Sequence, residues 1–149
     1  MSLYKQFKTD KHLENEGIEL EYGVASNGKP IVITIARAGG ANSKFQKLMA
    51  LKVKPYKRQI DNGTMDEETG ERIAREVYAE AIVLDWQNVE FPILDNEGNP
   101  TDETEFLPYT PANCVRLFTD LPDLYADIRE QASSASLFRE HLLEEDVKN

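Results

Sequence analysis

Acidic residues are missing from one long stretch of an otherwise acidic chain: residues 29–58, KPIVITIARAGGANSKFQKLMALKVKPYKR, hold no Asp or Glu. Other absences bound the answer first. No run of 18 apolar residues occurs, so no segment reads as a membrane-spanning helix. The opening MSLYKQFKTDKHLENEG has no apolar stretch of the kind that directs secretion. Cys114 is the only cysteine, which excludes an internal disulfide and, with no leader, leads us to expect a reducing cytoplasm. His12 and His141 stand at opposite ends of the chain in polar surroundings, with no ligand at metal spacing. We expect no metal, no cofactor and no membrane.

What is present suits one domain, residues 1–149. The composition is 40% hydrophobic and 30% charged, and a chain of this length buries roughly 70% of its unfolded surface. The net charge of −10 is unevenly spread. Residues 29–58 carry +8, from Lys29, Arg37, Lys44, Lys47, Lys52, Lys54, Lys57 and Arg58, and residues 59–110 carry −12. Such neighbouring blocks can satisfy each other within a fold or between copies. The screening length of about 8 Å at physiological salt limits this attraction to surfaces in close approach.

The fold class expected is α+β and mostly helical: an N-terminal antiparallel hairpin packed on a bundle of about four helices. Residues 17–37 read as the hairpin. Ile18, Leu20 and Tyr22 alternate with Glu19 and Glu21, Asn27-Gly28 supplies a turn, and Ile31, Ile33 and Ile35 share one face of the return strand. Helices are expected at about 42–61, 65–86, 111–119 and 121–143. In the first, Phe45, Leu48, Met49, Val53, Tyr56 and Ile60 form an apolar stripe, and Pro55 should kink or divide it. Thr64 and Glu67 have capping-box spacing for the second. Thr110-Pro111 opens the third as N-cap and N1, and Ser133-Ser134-Ala135-Ser136 is a weak point in the fourth. Residues 87–109, with Pro92, Pro100 and Pro108, read as a long acidic loop with room for a short hairpin.

No set of residues carries chemistry. Cys114 lies in a helix without a histidine nearby in sequence and reads as a small buried apolar group. Gly39-Gly40 precedes a basic helix, but ARAGGANSKF lacks phosphate-loop spacing and reads as a strand-ending turn. DNEGNPTDETE lacks the ligand spacing of a calcium loop. The basic block remains, with three readings open: a solvated helix face, a nucleic-acid patch, or a surface for a protein partner. Lysine outnumbers arginine in it, which suits steering better than bidentate recognition. A chain of net −10 disfavours nucleic acid.

From about residue 15 to residue 140, the phrases ARAGGAN, DWQNV, TPANCVRLFTDLPDLY and SLFRE, in that order, resemble the tail assembly chaperones of long-tailed bacteriophages. The resemblance implies a protein without enzymatic activity that works in the host cytoplasm and is absent from the finished virion. It would bind the tape-measure protein, help bring tail-tube subunits to it, and self-associate. Such proteins are often made in two lengths by programmed frameshifting, and this chain looks like the shorter product. A client surface is then expected at Leu137, Phe138, Leu142 and Leu143, four large apolar groups in a charged tail, with the alternative that Leu137 and Phe138 simply seal the core. A self-association surface is expected where Lys44, Lys47, Lys54, Lys57 and Arg58 meet the acidic segment 95–105 of a neighbour. The competing readings are a small nucleic-acid-binding regulator using segment 44–58, and a structural or completion protein of the phage tail.

Overall fold

The hairpin read from the alternation is strands β1 (Ile18–Val24) and β2 (Pro30–Ile35). They pair antiparallel with Ile18 opposite Ile35 and Leu20 opposite Ile33. In the computed structural model, which describes residues 2–139, a third strand, β3 (Val83–Gln87), adds antiparallel to β2. The sheet order is β1-β2-β3. Opposite residues share a face, so Ile18, Leu20, Ile33, Ile35 and Trp86 turn to the core, while Glu19, Glu21, Asp85 and Gln87 stay exposed. The protein is therefore α+β, with one face of the sheet covered and the other carrying these exposed polar groups around a buried Val32.

The covering layer is helical. Helix α3 (Ser43–Val53) runs into a 3₁₀ turn at Lys54–Tyr56 that contains Pro55, then into α4 (Lys57–Asp61). The break has a plain cause, since proline removes one backbone donor and crowds the preceding turn. Helix α5 (Glu67–Val77) packs against α3, and α6 (Pro111–Asp120) and α7 (Pro122–Ser133) complete the layer. Phe91, Phe118, Ile35, Ile82, Ile128, Val83 and Cys114 are fully buried among these elements. Each large apolar group buried there is worth about 1.5–3 kcal/mol.

Several elements differ from the reading of the sequence. The helix expected over 65–86 is α-helical only to Val77. It widens to a π-helical turn at Tyr78–Ile82 and becomes β3. The run AEAIVL suits a helix locally, but the backbone of β2 offers its partners here, and Ala36 N donates to Ile82 O. Its cap is Asp66, whose carboxylate accepts from Thr69 N, instead of a Thr64–Glu67 box. The acidic loop expected at 87–109, read with room for a short hairpin, does form one, β4 (Glu90–Leu94) and β5 (Pro100–Phe106), and it takes up most of the segment. Pro92 and Pro100 are tolerated because both strands of a two-stranded sheet are edges. The helix expected over 121–143 stops at Ser133; Ser134 is extended, and a 3₁₀ turn follows at Ala135–Phe138. Residues 140–143 of that expectation lie outside the described residues. Two short helices, α1 (Leu3–Phe7) and α2 (Lys11–Glu16), precede the hairpin where no element was expected.

Candidate protein-interaction surfaces

The Gly39-Gly40 turn already holds an anion, supplied by the chain itself. Glu14 of α2 is buried, and its carboxylate accepts from Thr9 Oγ1 at 3.1 Å and from Ala41 N at 3.3 Å while pairing with Arg37 Nη1. Asn42, also buried, donates from Nδ2 to Arg37 O at 2.9 Å. A group that could have met a phosphate in this turn is spent on tying α2 to the end of β2. Cys114 is likewise structural. It is fully buried, and burial pushes its thiol up to about 12, far from the thiolate a nucleophile needs.

The basic block divides in two. Arg37 pairs with Glu14, and Lys52 reaches Glu80 at 3.2 Å and Glu76 at 3.5 Å. Burial tends to lower Lys52, but hydrogen bonding to Glu80 and the fields of both carboxylates outweigh it and raise its pKa. Lys44, Lys47, Lys54, Lys57 and Arg58, the five expected partner residues, are all exposed and make no ion pair among the described residues. Leu51 lies among them with 66% of its surface exposed. The α3–α4 segment thus presents a lysine-rich ridge with an apolar knob.

The acid-rich segment lies on β4–β5. Every residue of β5 is exposed, including Asp102, Glu103 and Glu105, charges that guard an unpaired edge against unwanted strand addition. The turn is closed by Asp95 Oδ1, which accepts from Glu97 N and Asn99 N, both at 2.9 Å. Glu90 anchors the base of the hairpin. Donation from Ser26 N, then from the hydroxyls of Thr104 and Ser26, holds its carboxyl below the ordinary value. Between this hairpin and the α6–α7 corner lies a cleft of about 390 Å³ whose walls include Phe91, Pro92, Leu94, Pro100 and Leu121. A second cleft of about 280 Å³, reaching Tyr22 and Ile31, shares Glu90, Leu117 and Leu121 with it. Together they form an apolar trough with acids at its rim. One cation, Arg116, lies in its wall, stacked 4.9 Å over the Phe91 ring and 3.8 Å from Asp120.

The client surface expected at the chain's end is corrected in part. Phe138 is fully buried and closes the core, so it presents nothing to a partner. Leu137 is half-buried, and Leu142 and Leu143 lie outside the described residues. The same end of the fold nevertheless exposes apolar groups from α1: Leu3, Tyr4 and Phe7 are 72%, 84% and 64% exposed and line one concavity. Asp10 N donates to Phe138 O at 2.7 Å, Thr9 bridges Arg139, and the Arg139 guanidinium lies 5.3 Å over the Phe7 ring. The spacing of Leu3, Tyr4 and Phe7 in MSLYKQF makes a one-turn apolar face, a segment too short for periodicity to register in the sequence.

These features define an α+β protein whose candidate sites are faces, with no helix among its described residues long and apolar enough to cross a membrane. A family model matches residues 40–149, and the chain belongs to the YdaY prophage protein family. The match takes in α3 through α7 and the acidic hairpin, and begins after α1, α2, β1 and β2. Neither a curated protein nor a solved structure matches the chain.

Proposed function

We propose that this prophage protein is a tail assembly chaperone, a non-catalytic binder that keeps the tape-measure protein soluble and helps bring tail-tube subunits to it in the host cytoplasm. Membership in a prophage family supports the phage setting. The observation that carries the binding role is the α1 face. A helix with no buried residue exposes Leu3, Tyr4 and Phe7 together, and Phe7 lies against Arg139. Contiguous apolar surface of this kind marks an interaction site more often than it serves a fold, and a long helical client with an apolar face would bury it.

The test is co-expression of the full chain with the tape-measure protein encoded in the same prophage. The chain should keep that protein soluble, and Leu3→Asp/Phe7→Asp should lose this effect while melting near the parent temperature, because α1 contributes nothing to the core. A tape-measure protein equally soluble without the chain, or equally soluble with the variant, refutes the assignment. Mass spectrometry of purified particles adds a second readout: a chaperone is absent from them, and its presence at structural copy number would make it a tail component.

A further inference from the structure

We infer that the acid-rimmed trough between β4–β5 and the α6–α7 corner takes the basic α3–α4 ridge of a second copy of this chain. The inference places on the fold the self-association surface expected between segments 44–58 and 95–105, and it stands on charges that the fold leaves without an ion pair on two separate faces. The ridge offers Lys44, Lys47, Lys54, Lys57 and Arg58, none in an ion pair among the described residues, around the exposed Leu51. Glu80, the acid that borders this ridge, is taken by Lys52. The trough offers exposed Leu94 and Leu121 for an apolar knob. Its rim carries Asp120, which is 3.8 Å from Arg116 in the same wall, and Glu97 and Asp102 flank the wall residues Gly98 and Pro100 in sequence. These two hairpin acids also make no ion pair among the described residues.

Charge decides the occupant. Two copies of net −10 repel at long range, but a screening length of about 8 Å removes most of that repulsion at physiological salt. Opposite charges brought to contact distance are screened far less, so local complementarity outweighs the net charge. A nucleic acid would meet the same lysines, yet it would gain nothing from Leu51 or from the trough. A copy of this chain supplies both halves of the contact.

The experiment uses the full chain and two sets of reversals, Lys47→Glu/Lys54→Glu/Arg58→Glu on the ridge and Glu97→Lys/Asp102→Lys/Asp120→Lys at the trough. Sedimentation velocity at about 50 mM salt should show the parent assembled, with its association constant falling about tenfold or more by about 500 mM. Each reversed variant should run as a folded monomer. An equimolar mixture should assemble again, because the unaltered trough of the ridge variant meets the unaltered ridge of the trough variant, and the two reversed faces are complementary as well. Recovery in the mixture also shows that both variants fold. A parent that stays monomeric at about 50 mM salt, assembly that ignores salt, or a mixture of two folded variants that remains monomeric overturns the inference. So does a short DNA duplex that the parent binds tightly at physiological salt while remaining monomeric.

Discussion

Gly40→Ala probes the joint between the hairpin and the helical layer. Gly40 has φ +55, where a Cβ costs about 1–2 kcal/mol. A Cβ here would also fall onto the Glu14 carboxylate, 2.7 Å from its carbon and 2.8 Å from Arg37 Nη1. A flexible acid at the surface would move aside. Glu14 cannot do so freely, because its side chain is 2% exposed and is held by Thr9, Ala41 and Arg37. Losing a partner from a fully buried pair costs about 3–5 kcal/mol; Arg37 is 20% exposed and can turn toward water, which lowers that figure to about 2.

The total is then about 3–4 kcal/mol, a fall in melting temperature of roughly 10 °C for a chain of this size. Urea titration followed by the fluorescence of buried Trp86 reads it. Gly98→Ala is the control: its φ is +81, but nothing lies within 4 Å of the added Cβ, so only the backbone strain of about 1–2 kcal/mol should appear. In a Glu14→Ala background, Gly40→Ala should likewise cost only the strain, leaving a coupling energy of about 2 kcal/mol. A coupling below about 0.5 kcal/mol would show that the carboxylate does not enforce glycine here, and the reasoning would fail.

Phe138→Ala should destabilise by about 3–5 kcal/mol in the same titration, as truncation of a fully buried aromatic does, and a cost under about 1 kcal/mol would return Phe138 to the surface. Cys114 should resist a thiol reagent at pH 8 in the native state and react fully in denaturant; fast native labelling would contradict its burial. Burial also raises Cys114 from 9.0 and Tyr109 from 10.0, each to about 12, so the native state holds protons that the unfolded chain releases. Their contribution to stability is complete below about pH 9 and drains away as pH rises toward 12; a urea midpoint unchanged between pH 8 and pH 10.5 would refute it. Lys52→Ala should cost at most about 1 kcal/mol, since Lys52, Glu76 and Glu80 are each about a quarter to a third exposed; a loss above about 2 kcal/mol would mean the pair holds α3 to α5 far more firmly than solvent screening allows.

The parts of the fold that sequence revealed are those where one local rule acts alone. The alternation of Ile18, Leu20 and Tyr22 against Glu19 and Glu21 could describe only a strand with one wet face, and β1–β2 follows it. Thr110-Pro111 marked the start of α6, where Thr110 Oγ1 accepts from Asn113 N. The parts that stayed hidden depend on distant segments. Ala81 to Leu84 is an apolar run with no period that separates strand from helix, and β2 decides the matter. Trp86 then donates from Nε1 to Leu107 O, fixing the far end of the second hairpin beside the first sheet.

Charge shows the same division and explains why the candidate faces could be read only in outline. The +8 of residues 29–58 was visible at once, but not how much of it the fold would use. Arg37 is matched by Glu14 across 23 positions, and Lys52 by Glu76 and Glu80 across 24 and 28, separations that no helical spacing rule connects. What those contacts leave, Lys44, Lys47, Lys54, Lys57 and Arg58, is the ridge. On the other side, Glu90 is consumed by Ser26 and Thr104, while the acids of β5 make no ion pair among the described residues. Had the two blocks existed only to hold this chain together, the ridge and the hairpin would have been folded onto each other. Instead each block spends its inward members on the core and turns the remainder outward, which leaves both faces open for the contact between copies proposed above.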